Sequence, residues 1–159
     1  MSETVIRAMT PDDIPLITEW MLADRLWQRY GLTADSIDAS FHEATERNDI
    51  LLVAGTDVPA RGFAWCLLNG MFGTKAYLKR IGVDPAFTGQ NIGGLLLTRV
   101  EELVRESHRD VLFLLVSDFN QEAQRFYLRR GYQQIGAFPR LIIPDATELL
   151  FSKVLGSLA

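Results

Sequence analysis

Two stretches of this 159-residue chain carry residue types and spacings with chemical meaning. The first is Ile81-Gly82-Val83-Asp84-Pro85-Ala86-Phe87-Thr88-Gly89-Gln90-Asn91-Ile92-Gly93-Gly94-Leu95. Pro85 stops a strand, and a glycine-rich turn then runs straight into a helical apolar pattern. The free N–H groups of a helix's first turn and the positive end of its dipole converge on one point there, which suits a phosphate or pyrophosphate. Gly89, Gly93 and Gly94 leave no Cβ to hold an anion off the backbone. Asn91 is the non-glycine residue that best tolerates a left-handed conformation. The same glycines also suit a tight turn that only packs. Their spacing is not the dinucleotide fingerprint, and no Gly-Lys-Ser/Thr marks a P-loop. The second stretch, Asn120-Gln121-Glu122-Ala123-Gln124-Arg125-Phe126-Tyr127-Leu128-Arg129-Arg130-Gly131-Tyr132, follows an apolar run. Asn120 caps a helix there, Arg129 and Arg130 sit in its last turn, and Gly131 stops it. Tyr127 on that helix reads either as a core aromatic or as a phenol available for proton donation.

Each stretch needs a strand before it and a sheet beneath it. Residues 4–8 read as a short strand. Thr10 caps a helix that opens on Pro11, Asp12 and Asp13 and carries the stripe Ile14, Leu16, Ile17, Trp20, Met21 and Leu22. Gly31 breaks this segment after Trp27 and Tyr30. Thr33 or Asp35 caps a second helix, with Ile37, Phe41 and Ala44 facing inward. Residues 50–54, 62–68 and 74–83 read as strands, with turns at Gly55-Thr56-Asp57 and Asn69-Gly70. Residues 92–107 form a long amphipathic helix, and the unbroken apolar run 111–116 predicts a strand buried on both faces. A helix over 120–130 and strands near 132–137 and 147–154 complete the order β-α-α-β-β-β-α-β-α-β-β. This is a mixed α/β sheet, with hairpins first and a β-α-β crossover later.

Length favours one domain over residues 1–159. Sixteen basic residues against twenty acidic leave a net charge of −4. That balance exerts no general pull on nucleic acid or anionic lipid, so neither partner is expected. The sole cysteine, Cys66, excludes an intrachain disulfide and a cysteine zinc cluster, and no metal site is expected. It follows Trp65 on a buried strand and reads as core, not nucleophile. No apolar run approaches the roughly 20 residues of a membrane span. Met1 to Arg7 lacks the layout of a secretory signal, so a cytoplasmic location is expected.

Asn120-x-x-Ala123-x-x-Phe126-Tyr127-x-x-x-Gly131-Tyr132 resembles the second signature of the GNAT N-acetyltransferase superfamily. Val83-x-Pro85-x-Phe87-x-Gly89-x-x-Ile92-Gly93-x-x-Leu96-Leu97 resembles the first, its acetyl-CoA pyrophosphate loop. They stand in the right order, each on a β-to-α junction. The loop departs from the pattern at Thr88, where Arg or Gln is usual, and at Asn91, where Gly is usual. The anion is bound by main-chain amides, so the site is expected to survive both changes. The resemblance implies a GNAT-like central sheet of about six or seven strands with about four helices. It also implies acetyl-CoA as cosubstrate and coenzyme A as product.

Further roles follow from the resemblance residue by residue. In the family, the strands ending near Val83 and Val116 run parallel and then splay. The pantetheine arm fills the gap and pairs with backbone near Ile81 and Val83. The pyrophosphate rests on the N–H groups of Thr88, Gly89, Gln90, Asn91, Ile92, Gly93 and Gly94. Asn120 caps its helix and contacts the cofactor, while Ala123 and Phe126 pack beside the arm. Tyr127 brings its hydroxyl to the thioester sulfur. A Tyr pKa of about 10 lies above a thiol pKa of about 8.5, which makes Tyr127 a donor to the leaving thiolate. The oxyanion meets a backbone N–H such as that of Val83.

Some family members carry Glu on the strand 76–83. This chain has Lys79 and Arg80 there, and no carboxylate before Asp84. Glu148 and Asp118 are the candidates for the base; each also reads as a surface acid or ion-pair partner, and a water chain is the alternative. Trp27 and Tyr30 form an acceptor wall or pack beneath the helix pair. Arg29 and Arg140 are candidates for an acceptor carboxylate. In the family, residues 138–145 line the acceptor pocket or a dimer contact, which leaves a homodimer open. The leading expectation is transfer of acetyl from acetyl-CoA to a primary amine, with a small-molecule acceptor favoured. The alternatives are a protein amino-group acetyltransferase, a non-catalytic acyl-CoA-binding or sensing module, and a phosphate binder for another nucleotide.

Overall fold

Three apolar runs build the antiparallel middle of the sheet. In the computed structural model, which describes residues 4–55 and 60–156, β2 (Ile50–Ala54), β3 (Gly62–Met71) and β4 (Lys75–Val83) pair in sequence. β1 (Ile6–Ala8) adds outside β2. Between β1 and β2 the chain forms α1 (Ile14–Ala23), α2 (Arg25–Gln28) and α3 (Ala34–Glu46). It later crosses through α4 (Ile92–Glu106) into β5 (Val111–Ser117), which lies parallel to β4. After α5 (Gln121–Arg129), β6 (Gln133–Pro139) takes the edge and β7 (Thr147–Val154) inserts between it and β5. The seven strands are ordered β1-β2-β3-β4-β5-β7-β6. No helix among the described residues is long and apolar enough to cross a membrane.

The sheet separates two cores. One face packs Leu96, Val100 and Val104 of α4 with Leu112, Leu114 and Tyr127. The other packs Ile17 and Met21 of α1 and Ile37 and Phe41 of α3 on Phe63 and Trp65. The expected inward positions Ile37, Phe41 and Ala44 are all buried, and Thr33 caps α3 by accepting a hydrogen bond from the Ser36 N–H. Cys66 lies in the first core, and burial pushes its thiol up to about 12, as expected of a packing residue.

Three local expectations change. Asn69-Gly70 is not a turn: β3 runs on to Met71, and the chain reverses at Phe72 and Gly73, both with positive φ. A Cβ at Gly70 would lie 2.9 Å from the Tyr77 Cβ, so this glycine admits a close cross-strand approach at an irregular register. The first helical segment does not run unbroken toward Gly31: α1 ends at Ala23, and residues 25–28 form the separate short helix α2, whose N-cap Asp24 accepts from the Leu26 N–H at 2.9 Å. β5 is buried on one face only, because Leu115 on the other faces an open cleft. The turn expected at Gly55-Thr56-Asp57 lies partly outside the described residues.

That cleft comes from the β4–β5 junction. The two strands pair only over Ala76↔Leu112, Tyr77↔Phe113 and Leu78↔Leu114. At the next step β4 bulges: Cys66 faces Leu78 but Trp65 faces Arg80, so Lys79 is an extra residue. A bulge bends its strand and increases the twist. β4 therefore leaves β5, and residues 79–83 and 115–117 bound an open wedge.

At the other end of the sheet, Asp13 is fully buried and receives both Arg7 guanidinium nitrogens at 2.8 Å. Burial raises its pKa, but the Arg7 hydrogen bonds, the Thr10 N–H and the Arg7 charge outweigh it and hold the carboxyl below 3.8. A carboxyl held low stabilises the fold above its unfolded pKa, and this is lost as pH falls through the folded value. Asp13→Asn is expected to cost about 1–3 kcal/mol at neutral pH. In urea titrations that difference shrinks below about pH 4.

Candidate active site

The glycine-rich turn is built as a row of free donors. Asp84 caps a short 3-10 turn by accepting from the Ala86 N–H at 3.0 Å, and Arg61 stacks on Phe87 at 4.4 Å. Gly89 and Asn91 both have positive φ, at 81° and 60°. The first backbone bond of α4 runs from the Leu95 N–H to the Asn91 carbonyl. Among the described residues, the N–H groups of Thr88, Gly89, Gln90, Asn91, Ile92, Gly93 and Gly94 make no hydrogen bond. The Ile92 side chain is buried in the core, so only its amide serves the turn. A Cβ at Gly94 would sit 2.3 Å from the Asn91 Oδ1 and 2.5 Å from an Arg130 nitrogen. Arg130 stacks on the Phe126 ring at 3.9 Å and donates to the Asn91 Oδ1 at 3.2 Å. A guanidinium therefore stands beside the free amides. In the sequence Arg130 reads only as a last-turn partner of its own helix dipole.

The wedge beyond this turn holds two adjoining cavities, of about 390 and 220 Å³. Leu26, Trp27, Ile81, Asn120, Ala123 and Tyr127 line both. The smaller extends to Val83, Gly93 and Phe126 beside the glycine-rich turn. The larger extends to Tyr77, Lys79, Arg80, Ser117 and Glu148. The Asp84 N–H donates to the Arg61 carbonyl, which sets the phase of the β3–β4 ladder. By the alternation of antiparallel pairing, the N–H and C=O groups of Ile81 and Val83 then point away from β3, into the wedge. An extended amide-bearing chain can pair with them as an added strand.

Tyr127 stands where the cavities meet. Its ring packs on Phe126, Tyr132 and Phe151, at centroid distances of 5.1, 5.6 and 6.5 Å. Among the described residues its hydroxyl makes no hydrogen bond. Burial pushes its pKa well above the ordinary 10, with Tyr77 adding to the effect. The phenol is therefore a neutral donor at physiological pH. Asn120 holds the start of α5 by accepting from the Ala123 N–H at 3.1 Å.

At the far end of the larger cavity, Glu148 is 2% exposed and has no cationic partner within 4.0 Å among the described residues. It lies opposite Ser117 in the β5–β7 register, and the Ser117 hydroxyl donates to its Oε2 at 2.7 Å. The Tyr30 hydroxyl is hydrogen-bonded to the same Ser117 oxygen. Ser117 spends its one proton on the carboxylate, so Tyr30 donates to Ser117. Burial raises the Tyr30 pKa, with Glu148 adding to it and Ser117 opposing. Asp118, the other candidate acid, is exposed and lines neither cavity.

These features coincide with a family match. Residues 15–132 match the acetyltransferase (GNAT) family. The chain belongs to that family. It is 32% identical to a Bacillus subtilis protein named uncharacterized protein YdhI, over 47% of this chain and 58% of that one. It is 37% identical to the aminoalkylphosphonate N-acetyltransferase of Salmonella typhimurium, over 36% of this chain and 37% of that one. These matches span less than two thirds of either relative's length. A solved aminoglycoside 6′-N-acetyltransferase complexed with coenzyme A shares the fold, with a TM-score of 0.81 and 17% identity over 98% of this chain and 99% of that one.

Trp27 packs on Phe63 at 6.2 Å and on Tyr30 at 6.5 Å, and both residues line the larger cavity. Arg29 is engaged elsewhere, stacked on Phe119 at 3.6 Å and 3.7 Å from Asp145. Neither Arg29 nor Arg140 lines a cavity; Lys79 and Arg80 do.

Proposed function

We propose that this protein transfers the acetyl group of acetyl-CoA to a primary amine of a small molecule, by direct attack of the amine on the thioester. One observation carries the proposal. A continuous wedge runs from the free amides of residues 88–94, past the outward-facing backbone of Ile81 and Val83, to the Tyr127 hydroxyl and on to Glu148.

The amides and Arg130 hold the pyrophosphate, where dipole and charge both favour an anion. Ile81 and Val83 pair with the pantetheine arm, which Ala123 and Phe126 flank. The acyl carbon is thereby fixed beside Tyr127, and the reaction becomes a matter of placing the amine. A backbone N–H of β4 faces the developing oxyanion. Tyr127 donates its proton to the departing sulfur. Glu148 takes the amine's proton through Ser117 and Tyr30: Tyr30 accepts from the amine as it donates to Ser117, and Ser117 donates to the carboxylate. Asp118 lies outside this path. A small acceptor is supported by the volume of the larger cavity, about 390 Å³, which falls in the range of small-molecule sites. The aminoalkylphosphonate enzyme named above also acts on a small amine.

Acetyl-CoA at about 100 times its dissociation constant is expected to stabilise the fold by about 2.7 kcal/mol, with little effect from ATP or NAD. Thermal unfolding reads this directly. Thiol release with an amine panel then distinguishes an enzyme from an acyl-CoA sensor: stabilisation with no thiol from any amine would leave the sensing role.

A further inference from the structure

Among the described residues, two cations that line the larger cavity, Lys79 and Arg80, make no ion pair. The bulge that opens the wedge puts both Lys79 and Arg80 against Trp65, at 5.2 and 5.5 Å from its ring. Among the described residues neither has a carboxylate within 4.0 Å. The polar contact of Arg80 is a 3.4 Å hydrogen bond to the Ser40 hydroxyl. Arg80 is half-buried and Lys79 is exposed at the cavity wall. Burial lowers the pKa of both, and the Arg80 charge lowers Lys79 further. A half-buried positive charge without an ion-pair partner is costly, so Arg80, with Lys79 beside it, offers a site for an anion that arrives with a ligand.

The same cavity holds Glu148, a buried carboxylate without a cation. One wall is thus positive and the other carries the acid proposed to receive the amine's proton, across a space of about 390 Å³. A polycationic acceptor would bring like charge against Lys79 and Arg80. A neutral amine would leave both unpaired. A short molecule with an amine at one end and an anion at the other matches both walls at once.

We propose that the acceptor is such a zwitterion, its carboxylate, phosphonate or phosphate held by Arg80 with Lys79 while its amine points to Tyr127 and Glu148. This deepens the acetyl-transfer proposal and rests on it for the amine's fate, but not for binding of the anion.

The test compares three acceptors of similar length, β-alanine, aminoethylphosphonate and β-alaninamide, which lacks the anionic group, with the longer polycation spermidine. Thiol release is measured with acetyl-CoA, and calorimetry measures binding of each amine to the coenzyme A complex. The anionic acceptors are expected to exceed β-alaninamide in kcat/KM and in affinity by about 10- to 100-fold. The two anionic arms separate carboxylate from phosphorus oxyanion. Arg80→Gln is expected to remove that advantage by raising KM for the anionic acceptors. Its stabilisation by acetyl-CoA matches the wild type, which shows that the variant is folded. Equal or better use of β-alaninamide or spermidine, or an equal loss for all four in Arg80→Gln, overturns the zwitterion. If no amine releases thiol, calorimetry decides: Arg80-dependent binding of the anionic pair upholds the anion site while acetyl transfer fails, and no such binding ends both.

Discussion

Tyr127→Phe is expected to lower kcat by about 10- to 1,000-fold, the usual worth of a general acid. The substitution removes one oxygen and little else. The ring keeps its packing against Phe126, Tyr132 and Phe151, and the hydroxyl makes no hydrogen bond among the described residues. Folding stability and stabilisation by acetyl-CoA should therefore match the wild type, so the loss falls on the chemical step. Because burial raises the phenol's pKa above 10, the wild-type rate should not fall through phenol ionisation as pH rises to about 10. Stopped-time thiol assays on both proteins across that range are sufficient. A Phe variant that turns over at the wild-type rate would remove Tyr127 from the mechanism, leaving the thiolate to depart unaided.

Glu148→Gln is expected to lower kcat/KM by about 100- to 10,000-fold at neutral pH. Gln keeps an acceptor for the Ser117 hydroxyl, so the β5–β7 register should hold, but it takes no proton. An alkylammonium has a pKa of about 10, so most of the acceptor must lose a proton at neutral pH before it attacks. As pH approaches that value the amine arrives neutral and the variant's deficit should narrow. A merely structural role for Glu148 would give a deficit that is flat with pH. Asp118→Asn serves as the control and should be silent, because Asp118 is exposed and outside both cavities. If Asp118→Asn lost activity and Glu148→Gln did not, the assignment of the base would be reversed.

The glycine-rich turn and the capped helix that carries Tyr127 were legible from residue order because each lies on one continuous β-to-α junction. Consecutive amides from Thr88 to Gly94 are placed by local φ and ψ alone, so glycines, Asn91 and a following apolar helix announce them. Strand boundaries at 50–54 and 147–154 were legible for a similar reason, since short apolar runs bounded by polar residues define them. Gly70 misled because a glycine signals both a turn and a close approach, and only the position of Tyr77 across the sheet distinguishes the two. α2 escaped notice because four residues are too few to show a helical period.

The acid–base side of the site depends on contacts that no local pattern encodes. Tyr30 and Ser117 are 87 residues apart, and Ser117 and Glu148 are 31 apart. Glu148 meets Ser117 because β7 inserts between β5 and β6 instead of joining the edge in sequence order. Arg130 reaches the turn across 39 residues, through packing on Phe126. Alternation along a strand says which face a residue occupies, but not which strand lies beside it. The residues themselves determined the glycine-rich turn with its free amides and the capped helix that carries Tyr127, because backbone geometry over a few successive positions suffices. Strand order, the β4 bulge and helix placement settled which carboxylate is buried and which cations face it, because those neighbours meet only when the chain closes on itself.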